Sequence, residues 1–168
     1  MNSMFVFNCH KFKTHFDSII YVNVLEHIKN DENELIEVYK ALTNGGHALI
    51  FVPAIPLLYS KFDKNIGHFR RYYKNDLVQL AQKIGFNIKK AKYFDFAGII
   101  PWYIFFVLFK QQLTRDRVSL YDQWAVPVIQ KIERLVIPPV GKNLLLVLQK
   151  PITLPKKINK ISDHHKTI

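Results

Sequence analysis

Two short stretches of this chain of 168 residues bring unlike reactive groups together. The first is Asn23-Val24-Leu25-Glu26-His27, a polar break that follows an apolar run. A carboxylate beside an imidazole is suited to proton transfer near neutral pH. Adjacent residues on a helical turn do not face each other, however. His27 is therefore the better base or substrate contact, and Glu26 suits the positive end of the helix that follows. Asn23 is placed either to hold a ligand through its amide or to make a turn, which asparagine does readily. The second stretch holds Tyr59, Asp63, His68, Arg70, Arg71 and Tyr72. Arginine forks bind carboxylate or phosphate through paired hydrogen bonds. These residues fit either an anchor for an anionic acceptor or a structural clamp in which an arginine pairs with Asp63 or Asp76. No metal site is expected, because Cys9-His10 is not spaced for chelation and His164-His165 falls in a polar tail.

The elements that must position these groups read as strand, helix, strand. Ser18–Val22 is a short apolar strand, and ligands of open α/β sheets sit outside the carboxyl ends of strands. Asp31 opens a helix with Asp31 and Glu34 spaced as a capping box. Leu35, Val38, Tyr39 and Leu42 form its apolar stripe, and Gly45-Gly46 is expected to end it. His47–Val52 has the composition of a parallel strand covered on both faces. Pro53–Tyr73 reads as a long irregular segment, and loops of that length are functional or disordered. Its aromatics and its Arg-Arg-Tyr triplet argue for order. Asn75 is expected to cap a second helix, with Leu77, Leu80, Ala81 and Ile84 on one side and Gly85 at its end. Phe86–Tyr93 and Leu144–Leu148 read as two more strands. Between them lies an apolar insertion at about 96–140, with an uncharged run at Phe96–Phe109 and a helix at about Pro127–Ile137. It suits a cap over a site or an interfacial membrane contact, and fourteen uncharged residues are too few to span a bilayer.

Composition bounds the rest. The net charge of +11 is uneven: six acids and one lysine lie between Asp17 and Glu37, and 21 Lys/Arg and seven acids from Val38 onward. Such a surface can meet phosphates, but no cluster carries a recognisable nucleic-acid motif. A lone cysteine, Cys9, excludes an internal disulfide and fits a cytoplasmic location. Met4–Phe7 is too short for a signal-peptide core.

Taken in order, FDSIIYVNVLEHI, LTNGGHALIFVPA and LYSKFDKNIGHFRRY resemble the class I S-adenosylmethionine-dependent methyltransferases. They are closest to the branch with an N-V-L-E-H-I turn and a G-H-x-R-R-Y loop. The similarity runs from about Phe16 to Lys150. It implies an α/β fold with a partial doubly wound, Rossmann-like sheet, in which the last strand runs antiparallel and slots between its two predecessors. It also implies S-adenosylmethionine as cofactor, lined by Asn23, Val24 and Leu25. His27 and His68 become the catalytic groups, and Tyr59, Arg70, Arg71 and Tyr72 the contacts to a small-molecule or lipid-linked acceptor. The family's glycine-rich loop and ribose-binding acid belong upstream of Phe16, where this sequence has 15 residues. The expectation is thus a truncated methyltransferase domain over 1–150 with a basic tail over 151–168. Its first strand would be an exposed edge, and the isolated chain would lack half of its cofactor site unless a separate chain supplies it. The alternative is a non-enzymatic membrane-associated or partner-binding module derived from such an enzyme.

Overall fold

The computed structural model describes residues 16–108 and 139–152. Four strands form one sheet in the order β1-β2-β4-β3. They are β1 (Phe16–Val22), β2 (Leu42–Pro53), β3 (Asn87–Phe94) and β4 (Asn143–Gln149). β1 and β2 run parallel. β4 lies antiparallel to both β2 and β3, between them, as the resemblance implies. The helices are α1 (Asp31–Ala41), α2 (Lys61–Asn65), α3 (Lys74–Ile84) and α4 (Ile99–Trp102). The expected strand at Met4–Phe7, the expected helix at Pro127–Ile137 and the tail lie outside the described residues.

The core has one dense face. Ala48, Ile50 and Val52 of β2 and Leu144, Leu146 and Leu148 of β4 have no accessible surface. They pack with Leu35 and Val38 of α1 and with Leu77 and Ala81 of α3. Each buried leucine contributes about 2 kcal/mol relative to exposure. The opposite face is thinner. Leu49 and Phe51 of β2, and Leu145 and Val147 of β4, are half-buried there, so β4 alternates in burial although its sequence does not.

Three local expectations are corrected. Asn30, not Asp31, caps α1, and its side chain accepts from the Asn33 amide. Asp31 is thereby released for contacts with the loop described below. α1 ends at Ala41, before the glycine pair, because the chain turns straight into β2 at Leu42. Gly45, with φ +84°, and Gly46 sit in a bulge where β1 pairs Phe16 with Leu42 and Ser18 with His47. Asn75 lies inside α3, and the Lys74 amide instead donates to the Tyr93 hydroxyl at 3.0 Å. Gly85 does end α3, in the left-handed conformation with φ +114°.

Gly141, just before β4, marks a close backbone approach. A Cβ there would lie 2.3 Å from the Phe94 carbonyl oxygen, which no side-chain rotation can relieve. Gly141→Ala should therefore lower stability by about 1–3 kcal/mol, measured by urea unfolding. An unchanged midpoint would mean that the β3–β4 junction yields easily.

Candidate functional site

The turn after β1 decides which way the reactive groups point. Asn23 takes a left-handed conformation with φ 52°, and its amide donates to the Phe51 carbonyl at 2.9 Å. Its side chain is exposed at the strand tip. One 3-10 turn over Leu25–His27 then directs Leu25 and Glu26 inward and leaves His27 half-exposed. Leu25, expected as an apolar wall, has no accessible surface and belongs to the core. Val24 is half-buried against that core.

The segment Pro53–Tyr73, read from sequence as irregular, contains a 3-10 turn at Pro56–Leu58 and the helix α2. It is tied down at both ends. The Ile55 amide donates to the Tyr72 carbonyl and the Tyr72 amide to Pro53, each at 3.0 Å. The Phe69 amide donates to the Glu26 carbonyl at 2.8 Å, which joins the loop to the turn after β1. Tyr59 donates its hydroxyl proton to the His68 carbonyl at 2.7 Å. Gly67 sits at φ +87° and presents its carbonyl to His27 Nδ1 at 3.2 Å. The Gly67-His68 pair thus has a geometric reason: the glycine makes the bend and the histidine turns inward.

Asp63 organises the interior of the loop. It is fully buried and accepts from the Ser60 amide and hydroxyl, both at 2.9 Å, closing a capping box on α2. It also accepts from His68 Nδ1 at 3.0 Å and from Arg71 Nε at 2.9 Å, with Arg71 Nη2 at 2.8 Å. Burial raises the Asp63 pKa, but the bonds from His68 and Arg71 outweigh it and hold the group below its ordinary value. Arg71 is itself buried, donates from Nη1 to the Ala54 carbonyl at 3.4 Å, and stacks 4.6 Å from the Trp102 ring. All three of its nitrogens are engaged within the protein.

Arg70 and Tyr72 are tied in the same way. Arg70 Nη1 donates to both oxygens of Asp31 at 3.0 Å, and Nη2 to the Lys29 carbonyl at 2.6 Å. The Tyr72 hydroxyl lies 3.0 Å from Asp31 Oδ2 and 3.2 Å from the Leu25 carbonyl. Burial, followed by the nearby Asp31 charge, pushes its pKa upward, so the phenol stays protonated. Of the two readings of Tyr59, Arg70, Arg71 and Tyr72, the clamp is the one the contacts display. They lock the loop to α1 and to the turn after β1.

What remains chemically available is Glu26, His27 and His68. The two imidazole rings meet edge to face at 4.6 Å. His68 Nε2 lies 3.7 Å from Glu26 Oε1, with the His68 side chain 10% exposed and that of Glu26 fully buried. Neither Glu26 oxygen has a hydrogen-bond partner among the described residues. Burial raises the Glu26 pKa to about 7, against the opposing pull of its backbone amide, His68 and Arg71. His27 is lowered by burial and by His68, against the Gly67 carbonyl, so it is neutral at pH 7. Both Nδ1 atoms face oxygens that only accept, which puts a proton on each Nδ1 and, in neutral His27, leaves the Nε2 lone pair unused.

Sequence reasoning singled out the two histidines and gave Glu26 a helix-end role. That this side chain turns inward depends on the tight turn and on the left-handed Asn23, neither of which has periodicity. The part played by Asp63 was visible in principle, since Ser60-Lys61-Phe62-Asp63 is a capping signature.

The cofactor implied by the resemblance can be tested against these residues. Asn23 and Val24 suit one wall of an adenosine pocket at a strand tip. The facing wall would stand beyond β1, the outermost strand among the described residues, where Ile20 is 66% and Val22 is 53% exposed. Among the described residues no strand-to-helix turn holds more than one glycine.

No protein-family model matches the sequence, and no curated protein sequence matches it. Solved structures do resemble it. An S-adenosylmethionine-dependent methyltransferase from Mesorhizobium loti superposes with a TM-score of 0.51 at 13% identity, over 84% of this chain and 66% of that one. Phosphoethanolamine N-methyltransferase 2 of Haemonchus contortus, solved with S-adenosyl-L-methionine, gives 0.51 at 14% identity, over 86% and 36%. A complex of a Haloferax volcanii methyltransferase activator with its methyltransferase partner gives 0.53 at 12% identity, over 88% and 60%. The chain thus spans less than two thirds of the length of each of these three proteins. Its four-stranded open sheet with helices has the fold of the class I S-adenosylmethionine-dependent methyltransferases.

Proposed function

We propose that this chain supplies the acceptor side of an S-adenosylmethionine-dependent methyltransferase acting on a small-molecule or lipid-linked acceptor. The glycine-rich half of the cofactor site would come from another segment or from a partner chain. The single observation that carries this reading is the juxtaposition at β1. An exposed apolar edge at Ile20 and Val22 ends in Asn23, one turn later comes His27, and the Pro53–Tyr73 loop brings His68 against its ring at 4.6 Å.

S-adenosylmethionine, when bound, supplies an electrophilic methyl group, and the protein has to align a nucleophile with it. In this chain Asn23 and Val24 face the cofactor side, with Leu25 supporting them from the core. His27, neutral at pH 7, takes the proton from an acceptor hydroxyl or amine through Nε2. His68, held by Asp63, orients beside it. Tyr59, Arg70, Arg71 and Tyr72 act on the acceptor indirectly, by fixing the loop that carries His68. The activator bound to the Haloferax volcanii protein is a precedent for a second chain on this fold. Phe62 of the same loop meets the rings of Trp102 and Phe106 edge-on or tilted, an apolar cluster against which a lipid-linked acceptor would lie.

Calorimetry with S-adenosylhomocysteine tests this. The isolated chain should show no micromolar binding. A form extended upstream to include a glycine-rich first crossover should bind, and Val22→Lys, which charges the exposed edge, should abolish that gain without unfolding the domain. Micromolar binding by the isolated chain would remove the split-site reading, and absence of binding in the extended form would remove the cofactor.

A further inference from the structure

Glu26 poses an electrostatic problem that the fold does not solve. Its carboxylate is fully buried and neither oxygen accepts a hydrogen bond from the described residues. Arg71, whose charge acts on Glu26, is already committed to Asp63 through Nε and Nη2. A buried carboxylate without partners is strongly unfavourable and is retained where something else neutralises it.

We propose that Glu26, His27 and His68 form a binding site for a first-row divalent cation of the zinc type. One donor atom from each of the three lies within 4.8 Å of the other two. Donors on one such ion stand about 2.0–2.2 Å from it and hence about 3–4 Å apart. The His68 Nε2 to Glu26 Oε1 separation of 3.7 Å already meets that spacing. The remaining closure falls to His27, whose half-exposed ring already meets His68 edge to face at 4.6 Å and gives the ion its route from solvent.

The surroundings are those of a prepared site. A ligating histidine ordinarily donates its other ring N–H to a carboxylate or carbonyl, which fixes the tautomer and raises its basicity. His68 Nδ1 has Asp63 at 3.0 Å for this purpose, and His27 Nδ1 has the Gly67 carbonyl at 3.2 Å. Two imidazoles and one carboxylate favour zinc, cobalt, nickel or iron over magnesium or calcium, which prefer all-oxygen shells. With three protein ligands the ion keeps positions open toward solvent on the His27 side, where an acceptor oxygen could bind it.

The test needs neither cofactor nor turnover; an ion on His27 Nε2 occupies the lone pair that the proposed function assigns to proton transfer, so the two uses of His27 exclude each other and Co²⁺ binding reads the metal alone. The full chain, stripped with chelator and desalted, is titrated with Co²⁺ while its visible absorption is recorded, then challenged with Zn²⁺. One equivalent of Co²⁺ should bind with a d–d spectrum of low coordination number and be displaced by Zn²⁺. His27→Gln and Glu26→Gln, each checked for folding by circular dichroism, should weaken binding at least about tenfold. His164→Ala with His165→Ala should leave it unchanged. No Co²⁺ binding in the wild type would overturn the site. So would equal affinity in the His27→Gln, His68→Gln double variant.

Discussion

Asp63→Ala is expected to cost about 3–5 kcal/mol of folding stability, the largest effect of any single polar substitution among the described residues. The reason is what the substitution leaves behind. Arg71 is 5% exposed and two of its nitrogens point at Asp63. Removing the carboxylate strands that guanidinium in a low-dielectric interior and also unseats the Ser60 cap and the His68 ring. The decisive comparison is with Asp63→Ala/Arg71→Met, in which the orphaned charge is gone. Urea unfolding should find the double variant more stable than Asp63→Ala alone. A single variant within 1 kcal/mol of wild type, or a double variant less stable than the single, would show that the pair is not the keystone of the loop.

The second large effect is a pH dependence. In the metal-free chain the folded-state pKa of Glu26, about 7, lies above its ordinary value of 4.5. Between those values the folded state holds a proton that the unfolded state has released. Stability must therefore fall as pH rises from about 4.5 to 7 and level off above. A shift of that size corresponds to about 3 kcal/mol. Glu26→Gln removes the ionisation, so it should gain on wild type by about that amount between pH 4.5 and 8, measured in chelator. Parallel stability curves for the two proteins would mean that Glu26 is solvated or paired in a way these contacts exclude. Asp63 works in the opposite sense. Its folded pKa lies below the ordinary value, so its contribution is present at neutral pH and is lost only as pH falls through that lowered pKa.

Much of the architecture was legible in the chain, for identifiable reasons. The strand before Asn23, the uninterrupted apolar run at Leu144–Leu148 and the stripe of α3 are long patterns that the core reads directly. The antiparallel placement of β4 came from the resemblance and agrees with the sheet. The errors fall where one residue decides the backbone. Whether Asn30 or Asp31 caps α1 turns on a single side chain, and the loop needed Asp31 for Arg70 and Tyr72. Gly45-Gly46 looked like a helix stop because glycine serves caps and bulges equally well, and only strand pairing tells them apart. At the site, the sequence left the arginines open between ligand anchor and clamp, because a guanidinium fork binds a carboxylate whether it belongs to a substrate or to the protein. Asp31 and Asp63 were the carboxylates in this case.

The bonds that clasp Pro53–Tyr73 have a thermodynamic corollary. Because Ile55, Tyr59, Phe69 and Tyr72 are secured before any ligand arrives, the conformational entropy of that wall is spent during folding. An incoming molecule then meets a rigid receptor, and the heat capacity of its association reflects the surface it covers and little else.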